Sequence, residues 1–194
     1  MKLNLGSGYF RKEGYVNVDI QPLTNPDVLH DLNHIPYPFP DNSAEVIEMD
    51  HVLEHLINPF AVMRELNRIL KPDGFLIIKV PHFSRGMTHA EHAHGFDVTF
   101  PYYFDHVRFP NQYCGVTYTL EKIRVHWLSE VTLKHFNVLN LSNVSIFILK
   151  RLNTMLSWLA NLHLPFMSRI WCFWVGGFEE IEIKLRKPSA NSIK

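Results

Sequence analysis

The residues with the type and spacing to do chemistry stand at the very start of the chain. Lys2-Leu3-Asn4-Leu5 is a short apolar run that reads as a buried strand, and Gly6-Ser7-Gly8 follows it at once. The backbone can turn sharply there because no Cβ stands in the way. A second run, Tyr15-Val16-Asn17-Val18, ends in Asp19, eleven positions after Gly8. In an open parallel sheet ligands sit just outside the carboxyl ends of such strands. A glycine turn for close backbone approach, with a carboxylate able to accept two hydrogen bonds from a ribose diol, describes a nucleoside site. A dinucleotide fingerprint would need a third glycine where Arg11 stands, to aim a helix amino end at a pyrophosphate. Gly6 is not followed by the Gly-Lys-Ser/Thr of a phosphate loop either, so the expected ligand is a nucleoside without a phosphate chain.

The series Leu3-Asn4-Leu5-Gly6-Ser7-Gly8, Val16-Asn17-Val18-Asp19 and Asp31-Leu32 resembles the class I S-adenosylmethionine (SAM) dependent methyltransferases. His51-Val52-Leu53-Glu54-His55-Leu56, the helix after it and Leu70-Lys71-Pro72-Asp73-Gly74 resemble the small type 11-like branch of that family; the likeness covers roughly residues 1 to 82. The resemblance implies SAM as cofactor and a Rossmann-like α/β fold. That fold is an open, mainly parallel sheet with helices on both faces and its last strand, Glu180 to Leu185, antiparallel. It also implies cofactor contacts from Asn4, Gly6, Ser7, Gly8, Asp19, Ile20, Asp31, Leu32 and Asp50. Asp31 would accept from the adenine amino group while Leu32 offers its backbone. Taken alone, Asp31 reads better as the cap of a turn.

Methyl transfer from a sulfonium is a direct displacement, so the protein must align the acceptor and remove its proton when the acceptor is a neutral hydroxyl or amine. Histidine suits the second task because its pKa lies near working pH. His51, at the mouth of the sheet, His82, at the end of the neighbouring strand, and His106 are the candidate bases. His55, Asp105 and Arg108 are candidate acceptor contacts. Asp105-His106-Val107-Arg108 resembles an element in the same loop of related sequences; it also reads as a loop-anchoring salt link. His89-Ala90-Glu91-His92-Ala93-His94 has metal-ligand spacing, but a lid whose histidines bond a polyhydroxylated acceptor needs no metal, and none is expected.

The elements that must position these residues follow from pattern. Residues 9 to 14 are too few for an ordinary helical crossover, so the first helix is expected to be a turn. Val28-Leu29-His30 is a short candidate strand, and Ala44 to Met49 another. Asn58 caps and Pro59 starts a helix whose apolar face is Phe60, Val62, Met63, Leu66, Ile69 and Leu70, with Arg64, Glu65 and Arg68 on the wet side. Phe75 to Pro81 is apolar enough to be a central parallel strand. Residues 82 to 121 form a long histidine- and aromatic-rich segment, expected to be an acceptor lid. Beyond it a helix around Trp127, Val131 and Leu133 and a strand within Leu139 to Phe147 are predicted. An apolar helical stretch over about 145–178 follows, with Ile148, Leu152, Met155, Leu156, Leu159 and Leu162 at helical spacing and expected to pack on the sheet or a second subunit. Interfacial membrane contact is the alternative; Lys150, Arg151 and Arg169 interrupt the run, which excludes a transmembrane span.

With 194 residues, 46% apolar and 20% charged, the chain suits one domain over 1–194 with a real core. Lysine plus arginine and aspartate plus glutamate balance at 19 each, which removes the basic footprint of a nucleic-acid binder. Cys114 and Cys172 are too few for a disulfide framework, and the amino terminus enters a strand without a leader, so a cytoplasmic protein is expected. The expected partner is a small-molecule acceptor, for example a sugar or glycan-precursor hydroxyl, with membrane contact or a homodimer through the carboxyl-terminal region. The alternative from another class is a catalytically silent SAM-binding or metal-binding module that acts through protein partners.

Overall fold

The computed structural model describes residues 1–86, 88–105, 108, 114–135 and 142–189. Seven strands form one sheet: β1 Lys2–Leu5, β2 Val16–Asp19, β3 Val28–Leu29, β4 Ala44–Asp50, β5 Leu70–Pro81, β6 Thr119–His126 and β7 Glu180–Arg186, in the order β3-β2-β1-β4-β5-β7-β6. β1 pairs in parallel with β2 and β4, β2 with β3, and β4 with β5. β7 is antiparallel to both neighbours, as expected of the last strand. The five parallel strands aim their carboxyl ends at one edge, where Asp19, Asp50 and His82 emerge.

The first crossover carries no helix: Phe10 N donates to Ser7 O and the chain turns directly into β2. α1, Pro59–Ile69, joins β4 to β5; Asn58 caps it by accepting from Ala61 N at 3.0 Å. Val62, Met63, Leu66 and Ile69 face the core as the periodicity predicts. Glu65 does not lie on a wet face. It is 5% exposed, with Tyr37 N donating to it at 2.6 Å and the Arg68 guanidinium pairing at 2.6 Å, so a charge is buried because its partners come with it.

Two expectations beyond residue 118 are overturned. Residues 119–126 are strand, because β7 offers them a ladder; among the described residues the predicted helix is confined to Glu130–His135 (α3, following the four-residue α2, Phe83–Gly86), which holds Val131 and Leu133 but not Trp127. The strand predicted within 139–147 is instead, over its described part, the start of α4, Asn143–Ala160, with the Ser142 side chain accepting from Ser145 N at 3.1 Å. α5, Leu164–Arg169, follows.

The main core joins Leu3, Leu5, Ile47, Leu66, Ile78 and Ile183 across the sheet and α1; a smaller one gathers Val98, Val125, Ala160, Cys172 and Phe178 under α4 and α5. α4 meets the rest of the chain through Asn153 and Ser157, which accept from Leu128 N at 2.9 Å and Trp127 N at 3.0 Å just past β6. Among its residues only Ala160 is buried, and Phe147, Ile148, Leu152 and Met155 lie open, as do Trp158 at 62% and Trp174 at 77% exposure. No helix among the described residues is long and apolar enough to cross a membrane.

Candidate active site

The glycine turn hangs on β2: Gly6 N and Ser7 N both donate to Val18 O, at 2.8 and 3.0 Å. Gly6 has φ +67°, and a Cβ there would stand 2.3 Å from Val52 Cγ2, so packing as well as backbone conformation demands glycine. Gly8 has φ +48° and its missing Cβ would meet nothing within 4 Å. Asp19 is buried, one oxygen accepting from Gly8 N at 2.7 Å and the other from Gln21 N at 2.8 Å. Each oxygen keeps capacity for one further donor, as a vicinal diol requires. Ser7 Oγ is buried with no hydrogen-bond partner among the described residues. A buried hydroxyl without a partner beside open space above Gly8 fits a polar ligand on this turn. The exposed Ile20 stands beside Asp19.

The other predicted cofactor residues divide. Asn4 points inward, donating to Phe10 O at 3.1 Å and Asn17 Oδ1 at 2.9 Å, so it braces the turn. Asp31 caps its own turn by accepting from Asn33 N at 2.9 Å and pairs with His34 at 2.9 Å; the Leu32 side chain is buried and its carbonyl takes the Tyr37 hydroxyl. Asp50, partly exposed at the end of β4, lies 3.4 Å from Lys79 Nζ.

Neither described candidate base is placed to act as one. His51 has φ +55° and is wedged between Glu180, at 3.0 Å from Nε2, and Glu54, at 3.3 Å from Nδ1. Burial pulls its pKa down, but the two carboxylates outweigh that and push it up to about 10, so at neutral pH it already holds the proton. His82 is 0% exposed. Ser84 N donates to its Nδ1 at 3.2 Å, so Nε2 carries the hydrogen and donates to Ser168 Oγ at 2.8 Å. Burial lowers its pKa to about 4, against a smaller opposite pull from Asp97. It is a neutral, fully engaged core histidine. His106 lies outside the described residues. Asp105 and Arg108 pair with each other at 3.4 Å, the anchoring link, and Arg108 stacks 4.0 Å over Tyr102.

The structure instead opens a cavity of about 700 Å³ between the start of α1, residues 94–103 and the carboxyl-terminal region. Phe60, Phe96, Phe100, Tyr103 and Phe173 give it aromatic walls. Asp97 and Arg169, paired at 2.7 Å, give it a polar corner. None of the predicted site residues lines it. Asp97 and Arg169 are 72 positions apart, so no local spacing could have joined them, whereas the aromatic density of residues 96–104 was a visible signal. Glu180 was also missed, because it meets His51 only after β7 has joined the sheet, whereas Glu54, three residues after His51, was within reach of the sequence.

Residues 12–78 match the family model described as a methyltransferase domain. An uncharacterized methyltransferase of Schizosaccharomyces pombe is 43% identical over 42 residues, 22% of this chain and only 15% of that relative's length. Among solved structures, a SAM dependent methyltransferase from Archaeoglobus fulgidus superposes with a TM-score of 0.57 at 17% identity, covering 96% of this chain and 85% of the other. An S-adenosylmethionine dependent methyltransferase from Mesorhizobium loti gives 0.54 at 10%, covering 95% and 90%. The fold is the one that these SAM-dependent methyltransferases share.

Proposed function

We propose that this chain is a SAM-dependent methyltransferase that holds the nucleoside of its cofactor on the Gly6–Gly8 turn and Asp19 and receives a small-molecule acceptor in the aromatic cavity. The observation that carries the reading is the pair of Asp19 oxygens, each fixed by one backbone amide and each still able to accept from a hydroxyl. When bound, S-adenosylmethionine supplies an electrophilic methyl group on a sulfonium. The chain's own part is positioning. Gly8 leaves room for close approach, Ser7 offers a hydroxyl, and Ile20 gives an apolar surface for a base. The aromatic walls of the cavity and its Asp97–Arg169 corner suit a small ring compound that carries polar substituents, such as a sugar or glycan precursor hydroxyl.

Calorimetry with SAM, followed by transfer from methyl-labelled SAM to fractionated small molecules, tests the reading. Saturable binding with label appearing in a small molecule is expected. Binding without transfer to any acceptor would favour the silent module, and no binding would remove the proposal.

A further inference from the structure

We propose that Glu54, His55 and His92 form a binding site for a divalent transition-metal ion. Glu54 lies on a one-turn 3-10 helix, Leu53–His55, directly after β4. Its side chain is 0% exposed, and neither carboxylate oxygen has a hydrogen-bond partner among the described residues. Its cationic neighbour, His51, stands 3.3 Å from one oxygen but also serves Glu180, so two buried carboxylates share one imidazole and a further cation would complete them.

The two histidines are oriented as ligands. His92 Nδ1 is 2.6 Å from Gly86 O, and His55 Nδ1 is 3.2 Å from Glu91 O. A carbonyl only accepts, so each Nδ1 carries the hydrogen and each Nε2 keeps its lone pair. Backbone carbonyls that fix the tautomer in this way are the usual outer partners of metal-bound imidazoles. The two rings stand 4.9 Å apart, and His92 Nε2 lies 4.0 Å from Glu54 Oε1, too far for a hydrogen bond. The donor atoms of all three residues lie within 4.8 Å of one another. Ligands at about 2.0–2.2 Å from a tetrahedral zinc are roughly 3.4 Å apart, so closure asks for a movement of about an ångström from the more exposed imidazoles. The backbone bond from Ala93 N to Glu54 O, 2.9 Å, already ties the two segments together.

Two imidazoles and one carboxylate select zinc-like ions and leave a coordination position open.

The test is calorimetry on folded, chelator-stripped full-length protein with zinc and manganese chlorides, paired with NMR of the imidazole nitrogens. One ion per chain is expected, with the Nε2 signals of His55 and His92 perturbed. His55→Ala and His92→Ala should each weaken binding at least tenfold, and His163→Ala should leave it unchanged. Absence of uptake of either ion by the wild type would overturn the site, as would uptake indifferent to both replacements. SAM binding is measured separately, so failure of one reading leaves the other standing.

A second observation, independent of the first, concerns the open apolar face of α4 and α5. We infer that it docks on an anionic lipid surface. Residues 142–178 contain no aspartate or glutamate, while Lys150 and Arg151 fall among exposed Phe147, Trp158, Phe166 and Trp174; the third cation, Arg169, is already paired with Asp97. Cations around an aromatic, apolar face complement acidic headgroups. Two copies of such a face would bring like charges together with no anion to pair them. Co-sedimentation with phosphatidylcholine vesicles with and without phosphatidylglycerol tests it. Binding to the anionic vesicles that is weakened by salt and by Trp158→Ser plus Trp174→Ser is expected. Lack of co-sedimentation, or a solution dimer in which both tryptophans are shielded from quencher, would overturn it.

Discussion

His51 Nε2 and Glu180 Oε2 are 3.0 Å apart although 129 positions separate them in the chain. The contact joins the carboxyl end of β4 to the start of β7, across the intervening β5. Removing the cation of a buried cluster strands its carboxylates, at a typical cost of about 3–5 kcal/mol. His51 faces both Glu180 and Glu54, so His51→Ala should lower unfolding free energy by about 3 kcal/mol in urea titration, and Glu180→Ala, which leaves the imidazole its Glu54 partner, by less. A loss under about 1 kcal/mol for the His51 variant would show that water already shares the site.

Asp19→Asn should weaken SAM binding by roughly 1.5–3 kcal/mol, about ten- to hundredfold, the range for hydrogen bonds to a charged group. Calorimetry on a variant whose melting curve shows it folded checks this. Unchanged affinity would remove the ribose assignment.

The two motif glycines should behave differently. Gly8→Ala carries only the strain of a left-handed conformation, about 1 kcal/mol, since nothing lies within 4 Å of the added carbon. Gly6→Ala adds a clash with Val52 at 2.3 Å and should cost at least about 2 kcal/mol, with part restored by Val52→Ala. Equal losses at the two positions, read from denaturant midpoints, would contradict the packing.

His82 makes stability depend on pH. Its folded pKa, about 4, is below the ordinary 6.5, so the unfolded chain takes up the proton first as pH falls. The contribution is complete above about 6.5 and drains away between 6.5 and 4, amounting to about 3 kcal/mol for this one group. Urea midpoints of wild type and His82→Asn across that window should converge toward low pH. Parallel curves would mean that His82 is not held neutral.

How much of this could be read from the sequence varies with the range of the contact involved. β1, its glycine turn, Asp19 and the Asn58–Pro59 helix start are written in neighbouring residues, and each appears where its pattern placed it. β6 was hidden because a strand that pairs only with β7 has no local signature; Lys122 meets Glu182 across 60 positions. Glu65 reads as a wet residue until Tyr37 and Arg68 are seen around it. His82 looked catalytic because it ends a central strand, but Ser168, 86 positions away, closes over it. Type and position were legible there, whereas exposure was not.

The placement of β7 between β5 and β6 also sets an order of assembly. On the ribosome, β1 to β5 with α1 can pair as they emerge, each strand finding a neighbour already made. β6 cannot: its ladder partner, Glu180–Arg186, is translated only after α4 and α5 have been made. Until then β5 and β6 each offer an open edge and the small core under α4 has no floor. The growing chain must hold that half unsettled while the first half is already native, and this waiting interval is when it is most open to a chaperone or to misassembly.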